Sequence, residues 1–321
     1  MAPTADSTPA TGPDPAPAVR KGRRRLRTFS RGDKVILSLM VGIPLLYEAV
    51  LVWLPALLSV GLSFTNARLD ITQPGGVKLV GLSNYRFIAQ DYPPFMPALE
   101  HNLIWLLFLT LIATPLGLFI AVLLDFNLRG SWLYQSVFFI PVMLSLALVG
   151  IIWQLMYSSD SGLINSVLGT AGQPGAVDWF GNSKINLWAA LIATSWKHVG
   201  YIMILYLAGL KGVDPTLKEA AAIDGATAAQ TFFRVVFPAM RPINIIVIVI
   251  TVIEALRAFD IVYIINRGTN GLELVSALVV QNLIGEGTNI GVGAALATVL
   301  LVVSLVPITI YLGRTFRKEM R

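Results

Sequence analysis

Charged side chains interrupt the long apolar runs of this sequence at five positions, which are Glu48, Lys197, Glu254, Arg257 and Asp260. A charge in the hydrocarbon of a bilayer costs at least about 2.5–3.5 kcal/mol, so such residues face a protein interior or an aqueous path. Carboxylates in these places can accept hydrogen bonds from hydroxyl groups or relay protons. The five residues are therefore the first candidates for solute contact or ion coupling.

Aromatic and amide side chains in or near the same runs form a second group of candidates. Sugars are held by hydrogen bonds from their hydroxyls to carboxylates or amides, and by aromatic faces. The residues of this kind are Trp153, Gln154, Tyr157, Trp196, Tyr201, Asn244 and Tyr263. Other roles stay open, because aromatics also suit interfacial belts and helix packing, and amides also join helices by hydrogen bonds.

Glu254, Arg257 and Asp260 are spaced by three residues and are expected on one face of a helix. One interpretation is an internal ion-pair ladder with Arg257 between two carboxylates. The other is that Asp260 accepts hydroxyl groups of a solute while Arg257 orients it. For Lys197 the alternative to solute contact is that its ammonium group extends to the outer surface, and for His198 a packing role is as compatible with the sequence as a functional one.

The composition excludes several kinds of chemistry. The sequence has no cysteine and two histidines, which leaves no disulfide, thiolate catalyst or histidine cluster. It has neither a nucleophile–base motif nor a Gly-rich stretch that ends in Gly-Lys-Ser/Thr. We therefore expect no catalytic residue, no metal and no cofactor in this chain.

Long apolar runs are the dominant pattern of the 321 residues, of which 55% are hydrophobic and 13% charged. A helix needs about 20 apolar residues to cross a bilayer, and lipid leaves helices as the way to satisfy the backbone of such runs. The pattern predicts an all-α membrane protein with six spans. They are Val35–Phe64, Leu99–Leu124, Leu133–Tyr157, Ile185–Leu210, Ile243–Ile265 and Ile290–Leu312.

The distribution of Lys and Arg predicts the orientation. A Pro- and Ala-rich segment, followed by a basic run from Arg20 to Arg27, precedes the first span and is expected to be a disordered cytoplasmic tail over residues 1–34. The segments assigned to the outside carry only Arg68, Lys78, Arg86, Lys184 and Arg267. Both termini are therefore expected in the cytoplasm, with residues 35–312 as the membrane domain and 313–321 as a short basic tail.

The segment 211–242 is predicted to be a cytoplasmic helix–glycine–helix loop. Asp214-Pro215 is a typical helix start, and the following run to Ile223 has high helix propensity. Gly225 ends this helix, because glycine adopts the left-handed conformation at low cost. The alanines near the turn leave room for another protein to approach.

This loop resembles the EAA loop of binding-protein-dependent ABC importers. The matching residues are Glu219-Ala220-Ala221, Asp224-Gly225-Ala226, Phe233, Val235, Phe237-Pro238 and Pro242. Further matches to carbohydrate-uptake permeases of the maltose and glycerol-phosphate type are Leu79 to Tyr85, Phe138 to Pro141, Gly162 to Asn165, Ala208 to Leu210 and Phe259 to Tyr263. One departure is Arg267 to Gly271, where many relatives have Gly-Gly-Pro.

The resemblance implies a type I importer permease that translocates a sugar, with the loop as the coupling helix that docks on a cytoplasmic ATPase. The implied coupling residues are Glu219, Ala220, Ala221, Asp224 and Gly225. The implied partners are a second homologous permease subunit, two copies of the ATPase, which bind ATP and Mg, and an external solute-binding protein. Glu48 is then expected to face either the solute or the second subunit.

Three other functions remain open. An ion-coupled secondary transporter would use Glu48, Glu254 or Asp260 as a relay and would need no docking loop. An ABC permease for an osmolyte or a peptide would share the loop but transport another solute. A nucleic-acid-binding scaffold would use the basic tail, although that run is the usual orientation signal before a first span, so we expect no nucleic-acid partner.

Overall fold

The computed structural model describes residues 30–68, 76–126, 130–284 and 288–319. These residues are mainly helical, and their isolated β-bridge joins Thr65 to Leu79. The all-α prediction is thus confirmed. The chain divides into two compact units, Met1–Leu54 and Pro55–Arg321.

In the N-terminal unit, α1 (Arg31–Glu48) begins at a capping box, in which Ser30 and Asp33 bind each other's backbone amides. A π-helical segment (Ala49–Trp53) follows. The helix therefore starts four residues before the predicted span. Residues 1–29 of the predicted tail, with the basic run, lie outside the described residues.

Helix α2 (Leu54–Leu62) belongs to the second unit from Pro55 onward and is followed by α3 (Ser83–Gln90). Next, α4 (Phe95–Phe108), a π-helical segment (Leu109–Ala113) and α5 (Thr114–Asp125) form one apolar helix of 31 residues. This helix confirms the second predicted span and extends it by four residues toward the N-terminus.

The third predicted span is a pair of helices, α6 (Ser131–Met143) and α7 (Leu146–Met156), bent by 105°. Pro141 weakens the end of α6, since proline lacks an amide hydrogen. Leu144 and Ser145 are extended, and the Ser145 side chain accepts a hydrogen bond from the amide of Leu148 to start α7. The prediction of one helix was therefore wrong.

The segment after α7 contains α8 (Leu163–Val167) and is organised by the fully buried Asn165. Its amide donates to the carbonyls of Ser158 and Val177, and its oxygen accepts from Thr170 and Val177. One buried side chain thus closes two turns of the loop.

The central helix is α9 (Asn186–Lys211), which packs against α5, α6, α7 and α13. Its tightest contact is at Gly200, where an added Cβ would lie 2.1 Å from the carbonyl oxygen of Phe138 in α6. The fourth predicted span is confirmed.

Beyond α9 lie the loop helices α10 (Pro215–Ile223), α11 (Ala228–Thr231) and α12 (Phe237–Ala239), with a π-helical segment (Phe232–Val236) between the last two. The chain ends with α13 (Arg241–Leu256), α14 (Asp260–Asn266), α15 (Val275–Ile284) and α16 (Ile290–Glu319). The fifth predicted span is interrupted between α13 and α14, α15 was missed, and α16 continues past the predicted end at Leu312.

By length and apolar character, three described helices are able to cross a membrane: Gly32–Leu62, Phe95–Asp125 and Asn186–Lys211. The bent pair α6–α7 makes a fourth. The last two predicted spans correspond to the interrupted helix α13–α14 and to α16, whose apolar part is Ile290–Val306.

Candidate functional site

The loop between α9 and α13 has the local structure that the sequence predicts. The Asp214 carboxylate accepts a hydrogen bond from the Thr216 amide at 2.9 Å and caps α10, and Pro215 occupies its first turn. Hydrogen bonding to Thr216 lowers the pKa of the Asp214 carboxyl group. The cap is therefore charged at neutral pH.

The turn after α10 is a Schellman motif. Gly225 has a φ angle of +75°, the Ala226 amide donates to the Ala221 carbonyl at 3.0 Å, and the Gly225 amide donates to Ala222 at 3.1 Å. Thr227 and Gln230 then form a capping box that starts α11. Consecutive caps fix the angle between the two loop helices.

The loop tip is open on one side. Glu219, Ala220, Asp224 and Gly225 are exposed, and Ile223 is 86% exposed. Ala221 is different, since it is only 8% exposed. Neighbouring positions on a helix point to different sides, so Ala221 faces inward while Ala220 faces outward. The contact of Ala221 with an ATPase stays a prediction.

A contact that the sequence did not indicate joins the loop to the second span. The Lys218 ammonium lies 3.2 Å from the Asp125 carboxylate at the end of α5. A cavity of about 570 Å³ lies beside this pair, with Phe126, Ala222, Phe232 and Val236 among the residues that line it. The helix–glycine–helix elbow formed by α10, Gly225 and α11 thus shares an ion pair and an apolar contact surface with the second span.

Asn244, a predicted solute contact, has its amide bonded to this loop. Its amide donates to the Phe237 carbonyl at 3.0 Å, across the start of α13. Gln154 in α7 likewise donates to the carbonyls of Ile264 and Ile265 at the end of α14. Both amides act as hydrogen-bond partners between elements, which is the alternative that the sequence left open.

The charges of the fifth span do not form a ladder. Helix α13 ends at Leu256, and Arg257 is its C-cap with a ψ angle of 2°, so spacing by three no longer gives one face. The ion pairs of the described residues are His101–Glu273 and Lys218–Asp125. Glu254, Arg257 and Asp260 are exposed and have no such partner there.

Arg257 and Asp260 instead line a cleft of about 540 Å³ in the membrane part of the second unit. Ser276 and Ser304 add hydroxyl groups to its lining, and Phe259 adds an aromatic ring. Phe259 stacks on Tyr263 with ring centroids 4.9 Å apart. The cleft therefore combines a cation, a carboxylate, hydroxyls and an aromatic face.

A smaller cleft of about 230 Å³ is lined by Lys197, His198 and Tyr201 of α9 and by Glu254 of α13. The outward orientation considered for Lys197 is not the one found, because its ammonium donates to the Leu144 carbonyl at the bend of the third span, 2.5 Å away. His198 lies within hydrogen-bond distance of Thr114 and Thr251, so three spans meet at this buried polar cluster.

Among the remaining aromatic candidates, Trp153 and Tyr157 belong to the core, whereas Trp196 is 38% exposed. Trp153 and Tyr157 are buried, and their rings are 5.1 Å apart. Trp196 contacts Trp153 edge to face. These ring contacts agree with helix packing, the alternative considered from the sequence, and solute contact by these residues stays a prediction. Glu48 is exposed at the end of α1 in the N-terminal unit.

The described residues thus combine long apolar helices with a capped helix–glycine–helix loop between α9 and α13. Residues 113–321 match the family described as the binding-protein-dependent transport system inner membrane component, and the chain belongs to this family. It is 32% identical to the xylose/arabinose import permease protein XacH of Haloferax volcanii over 92% of both chains. It is also 32% identical to the osmoprotective compounds uptake permease protein GgtC of Synechocystis over 86% of this chain and 96% of the relative.

The fold is also that of a solved transporter chain. A bacterial ABC transporter involved in the import of the acidic polysaccharide alginate superposes with a TM-score of 0.75 and 20% identity, over 89% of this chain and 96% of that chain. The type I importer permease fold expected from the loop is thereby confirmed. The family is one of transport subunits, in agreement with the expectation that the chain is not itself an enzyme.

Proposed function

We propose that this chain is one permease subunit of an ATP-driven importer that translocates a sugar. A second homologous permease subunit completes the pathway, two copies of a cytoplasmic ATPase bind ATP and Mg, and an external solute-binding protein delivers the solute. The observation that carries the proposal is the capped elbow with Glu219, Ala220, Asp224 and Gly225 exposed at its tip.

The choice of a sugar is supported by the names of relatives. XacH is a xylose/arabinose permease, and proteins named for arabinooligosaccharides and for trehalose/maltose are 33% identical over 77% and 64% of this chain. The cleft with Arg257, Asp260 and Ser276 supplies donors and acceptors for hydroxyl groups. A second candidate solute is an osmolyte, which is favoured by the similarity to GgtC.

Movement is proposed to pass from the loop through helix contacts. When the ATPase closes, it displaces the elbow, and the Lys218–Asp125 pair transmits the displacement to α5. Helix α5 packs along α9, which in turn contacts both arms of the bent third span. Rigid helices with tight contacts move as bodies, so a small shift at the loop alters the pathway.

Reconstitution in liposomes tests the function. The chain is co-expressed with its partner subunits, and the complex is supplied with the binding protein. It is expected to accumulate a labelled arabino- or malto-oligosaccharide only when ATP is present on the side of the membrane that carries the ATPase. Uptake that persists without ATP and collapses with the ion gradient would support the secondary transporter instead. Competition by an osmolyte but by no sugar would select the second candidate solute.

The proposed orientation predicts a labelling pattern. Because the chain lacks cysteine, Ser83→Cys and Ser183→Cys are expected to react with an impermeant maleimide in intact cells. Ile223→Cys is expected to react only after the membrane is permeabilised, since the loop faces the cytoplasm. All three positions are exposed, so access by the reagent is not limited by burial. Labelling of Ile223→Cys in intact cells would reverse the orientation and contradict ATPase docking.

Asp260→Asn tests solute binding in the larger cleft. No ion-pair partner within the described residues depends on Asp260, so we expect unchanged assembly and melting temperature. The apparent KM for uptake is expected to rise several-fold because a charged acceptor becomes neutral. Asp91→Asn, an exposed carboxylate in the external segment, is the control. A lowered melting temperature with unchanged KM would assign Asp260 a structural role.

A further inference from the structure

We propose that Lys197 is a positioning residue that couples the bend of the third span to the fifth span. Its ammonium holds the Leu144 carbonyl in the conformation seen here and pairs with the Glu254 carboxylate in the other conformation of the transport cycle. The inference rests on the proposed function, because it assigns a role within that cycle.

The first observation is the position of the carbonyl. Leu144 is the C-cap of α6, its amide donates to the Pro141 carbonyl, and its own carbonyl lies at the bend of 105° before α7 begins. In the membrane a free carbonyl needs a donor from the protein. Lys197 supplies it from α9 at 2.5 Å, across 53 positions of sequence.

The second observation is the support from α9 beside this contact. Gly200, one turn further along, is packed directly against the Phe138 carbonyl of α6. Helix α6 is therefore packed on α9 at this point, and α7 contacts α9 beyond the bend, where Trp153 meets Trp196. The Lys197 ammonium bonds the chain between these two contacts, at the bend itself.

The third observation is the carboxylate across the cleft. Glu254 and Lys197 line the same cleft of about 230 Å³ from opposite helices. The described residues contain no ion pair that involves either charge. A cation and a carboxylate within the membrane attract each other strongly in this low-dielectric setting. The ammonium thus has two competing acceptors, Leu144 and Glu254, on two different spans.

If α7 and α13 move apart during transport, the Lys197 ammonium cannot bind Leu144 and Glu254 equally well. Closure of the ATPase shifts α9 through α5, so the preference of the ammonium changes with the nucleotide state. Tyr201 and His198 also line the cleft. Their hydroxyl group and imidazole carry no negative charge that could pair with the Lys197 ammonium in place of Glu254.

Cross-linking across the cleft measures the predicted movement. Leu146→Cys, just beyond the bend, and Tyr201→Cys, on α9, both line the cleft and are combined in the assembled transporter. The yield with a short bifunctional thiol reagent is expected to differ several-fold between the nucleotide-free and the vanadate-trapped states. Adding Glu254→Gln is expected to remove most of that difference without changing the melting temperature.

Single variants separate positioning from simple support. Lys197→Met is expected to uncouple ATP hydrolysis from the binding protein, and Lys197→Arg is expected to restore coupling in part. Lys184 is an exposed external lysine, and Lys184→Met is the control that is expected to have no effect. The inference is overturned if cross-linking is the same in both states, or if Glu254→Gln leaves the difference intact. If the binding protein did not stimulate ATP hydrolysis in the wild-type complex, the proposed function itself would be refuted.

Discussion

Replacement of Gly225 by valine is expected to abolish both uptake and binding-protein-stimulated ATP hydrolysis, while the membrane helices remain folded. Gly225 has a φ angle of +75° in the Schellman motif that ends α10. A β-branched residue in this conformation is strained by about 1–3 kcal/mol. Strain of this size shifts the equilibrium from the native turn toward another turn conformation by about tenfold or more. Because the residue is exposed and an added Cβ meets no described atom within 4 Å, the effect comes from the backbone alone.

Gly169→Val is the matched control. Gly169 has a φ angle of +71°, and an added Cβ there also meets no described atom within 4 Å. It lies in the external segment after α8, away from the loop. The same backbone strain should therefore leave ATPase stimulation intact. Wild-type coupling in Gly225→Val, measured in the reconstituted complex, would refute the assignment of the elbow as the coupling element.

Gly200→Ala is expected to have the largest effect on stability. The new methyl group would lie 2.1 Å from the Phe138 carbonyl oxygen and 3.0 Å from Cγ2 of Val142, so α6 and α9 must separate. Overpacking of this kind costs about 1–3 kcal/mol, and here the obstacle is backbone rather than a flexible side chain. A lower melting temperature in detergent and a smaller yield of assembled complex are the expected results.

Gly61→Ala is the control for the same chemical change in an apolar helix. Gly61 lies in α2, and an added Cβ meets no described atom within 4 Å. Alanine also has the higher helix propensity, so the melting temperature should be unchanged or slightly higher. If Gly200→Ala matched this control, the close contact of α6 and α9 would not exist in the protein.

The sequence was sufficient for features that depend on local interactions. The lengths of the apolar runs predicted helices at every proposed span. The helix caps at Asp214 and Gly225 could also be predicted, because each forms its hydrogen bonds within a few residues along the chain. The family assignment followed from the same loop. The coupling role of Glu219, Ala220, Asp224 and Gly225 stays a prediction, whereas the inward position of Ala221 was visible only in the structure.

The sequence was misleading where a helix was assumed to be continuous. Spacing by three placed Glu254, Arg257 and Asp260 on one face, but α13 ends before Arg257 and the assumption fails. The third span was treated as straight for the same reason. Helical spacing carries information only while the hydrogen-bond ladder persists.

By itself, the amino-acid sequence determined the helical membrane class, the helix–glycine–helix loop and the absence of cysteine-dependent chemistry. Only the tertiary structure decided which partner each polar residue meets, such as Lys197 with Leu144 and Lys218 with Asp125. The physical reason is distance along the chain. The ends of these contacts are separated by 53 and 93 positions, so they form only when packed helices bring together groups that no local pattern relates.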